Sequence, residues 1–220
     1  MRLFDLVVKL GNHCDMLGNM SQGAQVHIAD INFPAFFVSA FDGSLEASTK
    51  FYEAVATPGV YSDAKTILHQ TARMLWLADR IDEVAAGRPA FQILLYLTAA
   101  ELIAKLASKY EGEGESKKHV QHFFSDICAS SQKELLQKAF RTVGGAFLSL
   151  EATVNFLYRI RCDVVHRGQY YLFSLPRTPN NIPLLTGQGN DNVIAEITLP
   201  ELRQIVLEGA VLAAKRLAGI

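Results

Sequence analysis

One long stretch of apolar residues constrains the fold of this chain more than any other feature of its sequence. The stretch FQILLYLTAAELIAKLA occupies residues 91–107, and only Glu101 and Lys105 interrupt it with charge. The two charges leave it short of the roughly 20 apolar residues that a membrane span needs. A helix that is apolar on most of its sides must be covered by other elements. The stretch therefore predicts the core helix of a helical domain, with no membrane as a partner.

Segments with helical spacing of apolar residues precede and follow this core helix. Their caps and breakers predict helices over about 62–87, 89–110, 116–128, 131–143, 149–167 and 200–220. The runs YYLFSL (170–175) and NVIAEITL (192–199) are typical of strands, and together they predict a small hairpin. The predicted fold class is mainly α, a helical bundle with a small β-hairpin.

The first 58 residues differ in pattern from the rest of the chain. Residues 25–41 are rich in β-branched and aromatic residues and contain Pro34, which favours a strand or irregular packing. Residues 44–56 predict a short helix that Pro58 and Gly59 stop. The sequence therefore predicts a mixed appendage over 1–58, without catalytic groups, and a helical domain over 59–220.

Composition limits the classes of protein that this chain can belong to. A formal net charge of -1 excludes a surface coated in positive charge, so any RNA site must be local. The three cysteines are an odd number and lie far apart, which does not predict a disulfide framework. The first ten residues carry Asp5 and Lys9 and do not resemble a secretory signal. These features predict a cytoplasmic protein.

The segment LYRIRCDVVHRG, residues 157–168, holds the motif that points to a function. Four residues separate Arg161 from His166, and six separate Arg159 from His166, in a predicted late helix that Gly168 ends. The arrangement resembles the Arg-x4-6-His signature of the HEPN superfamily of helical bundles, with the Apea-like HEPN proteins as the branch it suggests. The resemblance covers roughly residues 60–220, and its specific part is about ten residues long.

The resemblance implies an activity and a set of site residues. It implies a homodimer that cuts RNA without metal or cofactor in a shared cleft, as toxin or defence proteins do, with an antitoxin or another protein as a further partner. In such a site a His removes the proton of the ribose 2′-hydroxyl while an Arg holds the phosphate. The implied catalytic residues are Arg161 and His166. The supporting or alternative residues are Arg159, Asn155, Cys162 and Asp163.

Two features of the motif keep a second interpretation open. Cys162 stands where the family usually has a small polar residue, and a thiol is a poor hydrogen-bond donor. Helical geometry places Arg161 on the apolar stripe, where its charge must find a carboxylate, a phosphate or a partner chain. Arg161 could therefore extend its charge to the helix end or pair with a core acid such as Glu101, while His166 favours the negative helix end. The alternative function is a non-catalytic module that binds RNA or nucleotide or mediates assembly.

Metal chemistry has weaker support in the sequence. His119 and His122 lie three residues apart, and Cys162 and His166 lie one helical turn apart. Neither pair has the further ligands of a recognisable metal set. We therefore expect no metal site.

Overall fold

The computed structural model describes residues 31–56, 62–84, 87–171, 173–178, 184–186 and 192–220, all within one unit from Ile31 to Ile220. The protein is mainly helical with a small sheet, as the sequence predicts. The helices of the described part are α1 (Phe33–Phe36), α2 (Leu45–Val55), α3 (Asp63–Val84), α4 (Pro89–Ala107), α5 (Ser116–His122), α6 (Ser130–Gln137), α7 (Leu150–Arg167) and α8 (Leu199–Ala218). The strands are β1 (Phe140–Thr142), β2 (Leu184–Thr186) and β3 (Asn192–Ala195).

Helix α4, which contains the apolar stretch, lies at the centre of the bundle. It packs against α3, α5, α7 and α8, and none of its residues is exposed. By length and composition α4 could cross a membrane, and half of that stretch is buried inside the protein. Its position among four other helices is that of the predicted core helix. Pro89 lies in its first turn, where a proline costs no hydrogen bond.

The three strands form an antiparallel sheet in the order β1-β3-β2. The predicted hairpin is present, but its first strand is β2 and not residues 170–175. Tyr170 instead stacks on Phe91 of α4, with ring centroids 4.7 Å apart, and Leu175 is buried in the core. These contacts hold the described part of that run against the helices, so it does not join the sheet.

Strand β1 falls inside the segment that was predicted as a helix over 131–143. Helix α6 ends at Gln137, and Phe140 then pairs with Ala195 of β3. That partner lies more than fifty residues further along the chain, so local sequence could not indicate the pairing. Phe140 is fully buried, which ties the sheet to the helical core.

Residues 31–56 belong to the same unit as the helical domain. Asn32 caps α1 through its side-chain oxygen and Pro34 lies in the first turn, so this part is helical and not a strand. The Ser39 hydroxyl donates to Gln204 Oε1 of α8 at 2.9 Å, and Phe37 is buried in the core. The predicted short helix is α2. Residues 1–30, together with Pro58 and Gly59, lie outside the described residues.

The helix predicted over 116–128 changes its winding partway along. Beyond α5, residues Phe123–Ile127 form a π-helical turn, in which hydrogen bonds reach five residues back. Arg216 of α8 donates to the carbonyl oxygens of Asp126 and Ile127 at 3.0 and 3.3 Å, so two freed backbone acceptors are satisfied. The Phe123 ring packs directly on Gly209 of α8.

Candidate functional site

Helix α7 carries every residue of the predicted site. The Ser149 hydroxyl accepts from the Ala152 N–H at 3.2 Å and caps its start. Gly168 ends it with φ +64°, a left-handed conformation that suits glycine, as the sequence predicts. Between these ends α7 buries a wide surface against α4, α5 and α6.

Arg161 lies on the buried side of α7, and its side chain is only 16% exposed. One terminal nitrogen is 3.4 Å from Glu101 Oε2, and the other donates to the Tyr158 hydroxyl at 3.4 Å. The guanidinium also lies over the Tyr158 ring, 5.3 Å from its centroid. Its buried Nε finds no hydrogen-bond partner in the described part of the chain. The structure thus brings Arg161 to Glu101, the pairing that the sequence left as an alternative.

Glu101 has closer partners than Arg161. Lys105 Nζ lies 2.8 Å from its Oε1, and the Ser116 hydroxyl donates to the same oxygen at 2.8 Å. Both contacts are shorter than the 3.4 Å contact of Arg161 with Oε2. The Glu101 carboxylate therefore keeps two partners even without Arg161, whereas the positive charge of Arg161 is compensated by this carboxylate.

Cys162 and Tyr158 lie one turn apart on the partly exposed side of this junction. Burial is the main cause that raises the pKa of the Tyr158 phenol above its ordinary value. The phenol therefore stays protonated near neutral pH and keeps its hydroxyl hydrogen. Cys162 is a half-buried thiol without a disulfide.

Arg159 lies on the opposite side of α7 from Arg161 and lines a cleft. Two residues of helix separate the arginines by about 200° around the axis. The Arg159 guanidinium lies over the Phe156 ring, 5.2 Å from its centroid. Asn155, one turn earlier, lines the same cleft and accepts a hydrogen bond from the Gln121 amide at 3.0 Å. The cleft has a volume of about 840 Å³.

His166 lies in the last turn of α7 and is exposed to solvent. It has no hydrogen bond or ion pair with any residue that the structure describes. About 140° of helix separates it from Arg161, but only about 20° and roughly 10 Å of rise separate it from Arg159. The fold therefore places His166 on the face of Arg159, Asn155 and Cys162, and places Arg161 on another. Asp163 binds Arg167 at 3.0 Å, one turn away.

Two tyrosines that sequence reasoning did not assign to the site follow directly after α7. Tyr170 and Tyr171 are 37% and 59% exposed and meet edge to face, with centroids 5.8 Å apart. They lie within five residues of the exposed His166 and Arg167 along the chain, and we call these four residues the basic-aromatic patch. The strand-like pattern of YYLFSL concealed these residues. The signal that could have found them is Gly168, because a left-handed cap reverses the chain there.

The histidine pair considered as metal ligands is split by the fold. His119 is buried against the Tyr110 ring, with centroids 4.5 Å apart, whereas His122 Nδ1 lies 3.0 Å from Asp126. Within the described ranges no group of three or more His, Cys, Asp and Glu residues could hold a metal ion.

Comparison of the chain with protein-family models, with curated proteins and with solved structures finds no match.

Proposed function

We propose that the protein is a HEPN-type module that binds single-stranded RNA through the basic-aromatic patch at the end of α7. The observation that supports this function is that two exposed tyrosines, Tyr170 and Tyr171, follow the exposed His166 and Arg167 within five residues of the chain. Proteins that bind single strands combine aromatic rings, on which bases stack, with basic groups that follow the phosphates. The patch contains both kinds of group, the basic residues before the chain reversal at Gly168 and the tyrosines after it.

The two tyrosines have different roles in this proposal. Phe91 stacks on Tyr170 and fixes its orientation, so this ring supports the patch. Tyr171 is the more exposed ring and offers a face to an incoming base. Asp163 partly neutralises the charge of Arg167, so the contribution of Arg167 to the binding of an RNA phosphate should be moderate. This contribution should decrease further as the salt concentration rises.

The position of Arg161 is the reason to propose binding before cleavage. A phosphate-holding arginine should face the ligand, but Arg161 is largely buried and directed at Glu101. Its contacts join α4 to α7, which is a structural role. Because Glu101 already compensates the charge of Arg161, no second subunit is needed at this position. The proposal of a homodimer is therefore supported by the family resemblance alone.

Fluorescence anisotropy with a labelled single-stranded RNA tests the binding function. Tyr171→Ala should weaken binding by about 5- to 150-fold, which corresponds to about 1–3 kcal/mol for one stacked base. Tyr171→Phe keeps the ring and should bind like wild type. Leu45→Ala removes an apolar side chain of similar exposure on α2 and serves as a control. Equal affinity of Tyr171→Ala and wild type, or no RNA binding by wild type, would refute the proposal.

Metal-independent cleavage of RNA is the second candidate function, and the exposure of His166 on the face of Arg159 favours it. His166 would take the 2′-hydroxyl proton while Arg159 holds the phosphate, so the six-residue spacing would operate. Cleavage should then persist in EDTA, leave 2′,3′-cyclic phosphate ends, and disappear in His166→Ala and Arg159→Ala but not in Arg161→Met. Loss of cleavage in Arg161→Met alone would instead support the four-residue spacing. Light scattering in solution tests whether the protein is a homodimer. The antitoxin partner and the cytoplasmic location stay predictions.

A further inference from the structure

Three aromatic rings join α1 and α2 to α3, and the functions proposed above do not involve them. Phe33 of α1, Tyr52 of α2 and His69 of α3 form what we call the ring cluster. The Phe33 ring stacks on His69, with centroids 4.1 Å apart and an interplanar angle of 10°. The Tyr52 hydroxyl lies 2.7 Å from His69 Nε2. We propose that protonation of His69 loosens α1 and α2 from α3, so that the attachment of these two helices depends on pH.

Helices α1 and α2 should respond as one unit, because they are joined to each other. The hydroxyl of Ser48 in α2, a buried residue, donates to the Pro34 carbonyl of α1 at 2.6 Å. The two helices also pack against each other, and α1 packs against α3. The contact of Tyr52 with His69 then connects α2 to α3. A change of charge at His69 therefore acts on both helices.

The surroundings of His69 favour its neutral form. Its side chain is half-buried, and Phe33 covers one face of the ring. Lys65 and Arg73 lie four residues before and after it on α3, so a charged ring would stand between two cations at one-turn spacing. Burial, followed by the charges of Arg73 and Lys65, lowers the pKa of His69 below its ordinary value.

No group of opposite charge acts on His69 from the part of the chain that the structure describes. Helix α1 contains no titratable residue, and α2 contributes the Tyr52 phenol, whose pKa is raised by burial. Helices α4 and α8 also pack against α3, but they bring no charged group that acts on His69. A charged His69 can still donate to the Tyr52 hydroxyl oxygen, yet its charge stays uncompensated.

The dependence on pH has a definite direction. When α1 and α2 separate from α3, the rings of Phe33 and Tyr52 leave His69, and water solvates it and screens Lys65 and Arg73. The separated form therefore binds a proton more readily than the attached form, and falling pH favours separation. Attachment is complete above about pH 6.5, the ordinary pKa of histidine, and loosens as pH falls below that value.

Contacts with α8 limit how far the two helices separate. The Ser39 hydroxyl donates to Gln204 at 2.9 Å, and Lys215 Nζ lies over the Phe41 ring, 5.0 Å from its centroid. Neither contact involves a histidine or a carboxylate. Acid should therefore open the side of α1 and α2 that faces α3, while the turn over residues 38–41 stays on α8. The expected change is a local opening and not unfolding of the bundle.

Hydrogen exchange of the full chain, measured by mass spectrometry and corrected for the intrinsic effect of pH on exchange, tests the proposal. Between pH 7.5 and pH 5.5 the opening constant of residues 33–55 should rise at least about threefold relative to that of α4. His69→Gln keeps a side chain that can bond to the Tyr52 hydroxyl but takes up no charge, so the rise should disappear. His166→Gln removes an exposed histidine from α7 and is the matched control, which should behave like wild type.

Arg73→Gln gives a second test that leaves the ring cluster intact. The Arg73 side chain is exposed, so its replacement should not disturb the fold. The change removes one of the two cations beside His69, and the acid-induced rise should be smaller than in wild type. The proposal is overturned if His69→Gln opens with the pH dependence of wild type, or if residues 33–55 show no rise relative to α4. A rise in Arg73→Gln that equals or exceeds that of wild type also overturns it.

Discussion

We expect substitutions of Arg161 and of Glu101, which form one ion pair, to lower the stability of the protein by different amounts. Arg161→Met keeps the aliphatic packing and leaves Glu101 with Lys105 and Ser116, each at 2.8 Å. Glu101→Gln removes the charge that compensates Arg161, whose side chain is 16% exposed and whose Nε already lacks a partner. The glutamate should therefore matter more to stability than the arginine.

The magnitudes follow from what each change leaves behind. Removing one member of a fully buried pair costs about 3–5 kcal/mol, because the other charge stays buried without compensation. The contact with Arg161 is long at 3.4 Å and is not fully buried, so we expect about 2–3 kcal/mol for Glu101→Gln. Arg161→Met leaves a satisfied carboxylate, and we expect it to lower the free energy of unfolding by about 1 kcal/mol.

Urea unfolding followed by circular dichroism measures both changes, and the double variant gives the coupling between them. Arg167→Met is the control, because the Arg167 side chain is 56% exposed where it pairs with Asp163, and this pair should contribute less than about 0.5 kcal/mol. The reasoning fails if Arg161→Met is the more destabilising change. It also fails if neither change affects stability while Arg161→Met abolishes an activity on RNA, because Arg161 would then serve a ligand.

Two further predictions concern stability elsewhere in the bundle. Gly209→Ala should destabilise the protein by about 1 kcal/mol, because the new Cβ would lie 2.7 Å from Cε2 of the buried Phe123. This cost exceeds the gain of about 1 kcal/mol in helix propensity. In a Phe123→Leu background, thermal unfolding should show that Gly209→Ala is neutral or stabilising. Burial, and then the nearby positive charges, lower the pKa of His69, so the unfolded chain binds more protons. The contribution of neutral His69 to the free energy of unfolding is therefore complete above about pH 6.5 and is lost as pH falls below that value. If a His69→Gln variant loses as much stability between pH 7 and pH 5 as wild type does, this prediction is wrong.

The long helices could be predicted because their information is local. The apolar periodicity of α3, α4, α7 and α8 and their caps, such as Ser149 and Gly168, lie within each segment. Strand β1 could not be predicted, because Phe140–Thr142 pair with a segment far along the chain. Alternation alone also misassigned residues 170–175, since an aromatic residue can serve a strand or, as Tyr170 does, stack on a helix.

The candidate site was predicted in part. Helical geometry correctly placed Arg161 on the buried stripe, because that placement depends only on spacing. The cost of burying its charge left a core acid such as Glu101 as one of its possible partners, and Glu101 is the partner in the structure. Helical geometry could not place Asn192 and Val193 in the cleft that Arg159 lines, since the sheet brings these two residues to α7. The tyrosines of the patch were missed for a local reason: YYLFSL was interpreted as a strand, although the predicted cap at Gly168 indicated a chain reversal just before them.

The central position of α4 also has a consequence for synthesis of the protein on the ribosome. Its cover comes from α3, which precedes it, and from α7 and α8, which follow it. Roughly 90 residues separate the end of α4 from the start of α8, so at about 5–20 residues per second the apolar helix waits about 5–20 s for its last partner. During that interval the nascent chain presents a sequence that resembles a membrane segment to targeting factors and chaperones. The polar residues Glu101 and Lys105 are the features of α4 that would oppose its capture by a membrane before folding is complete.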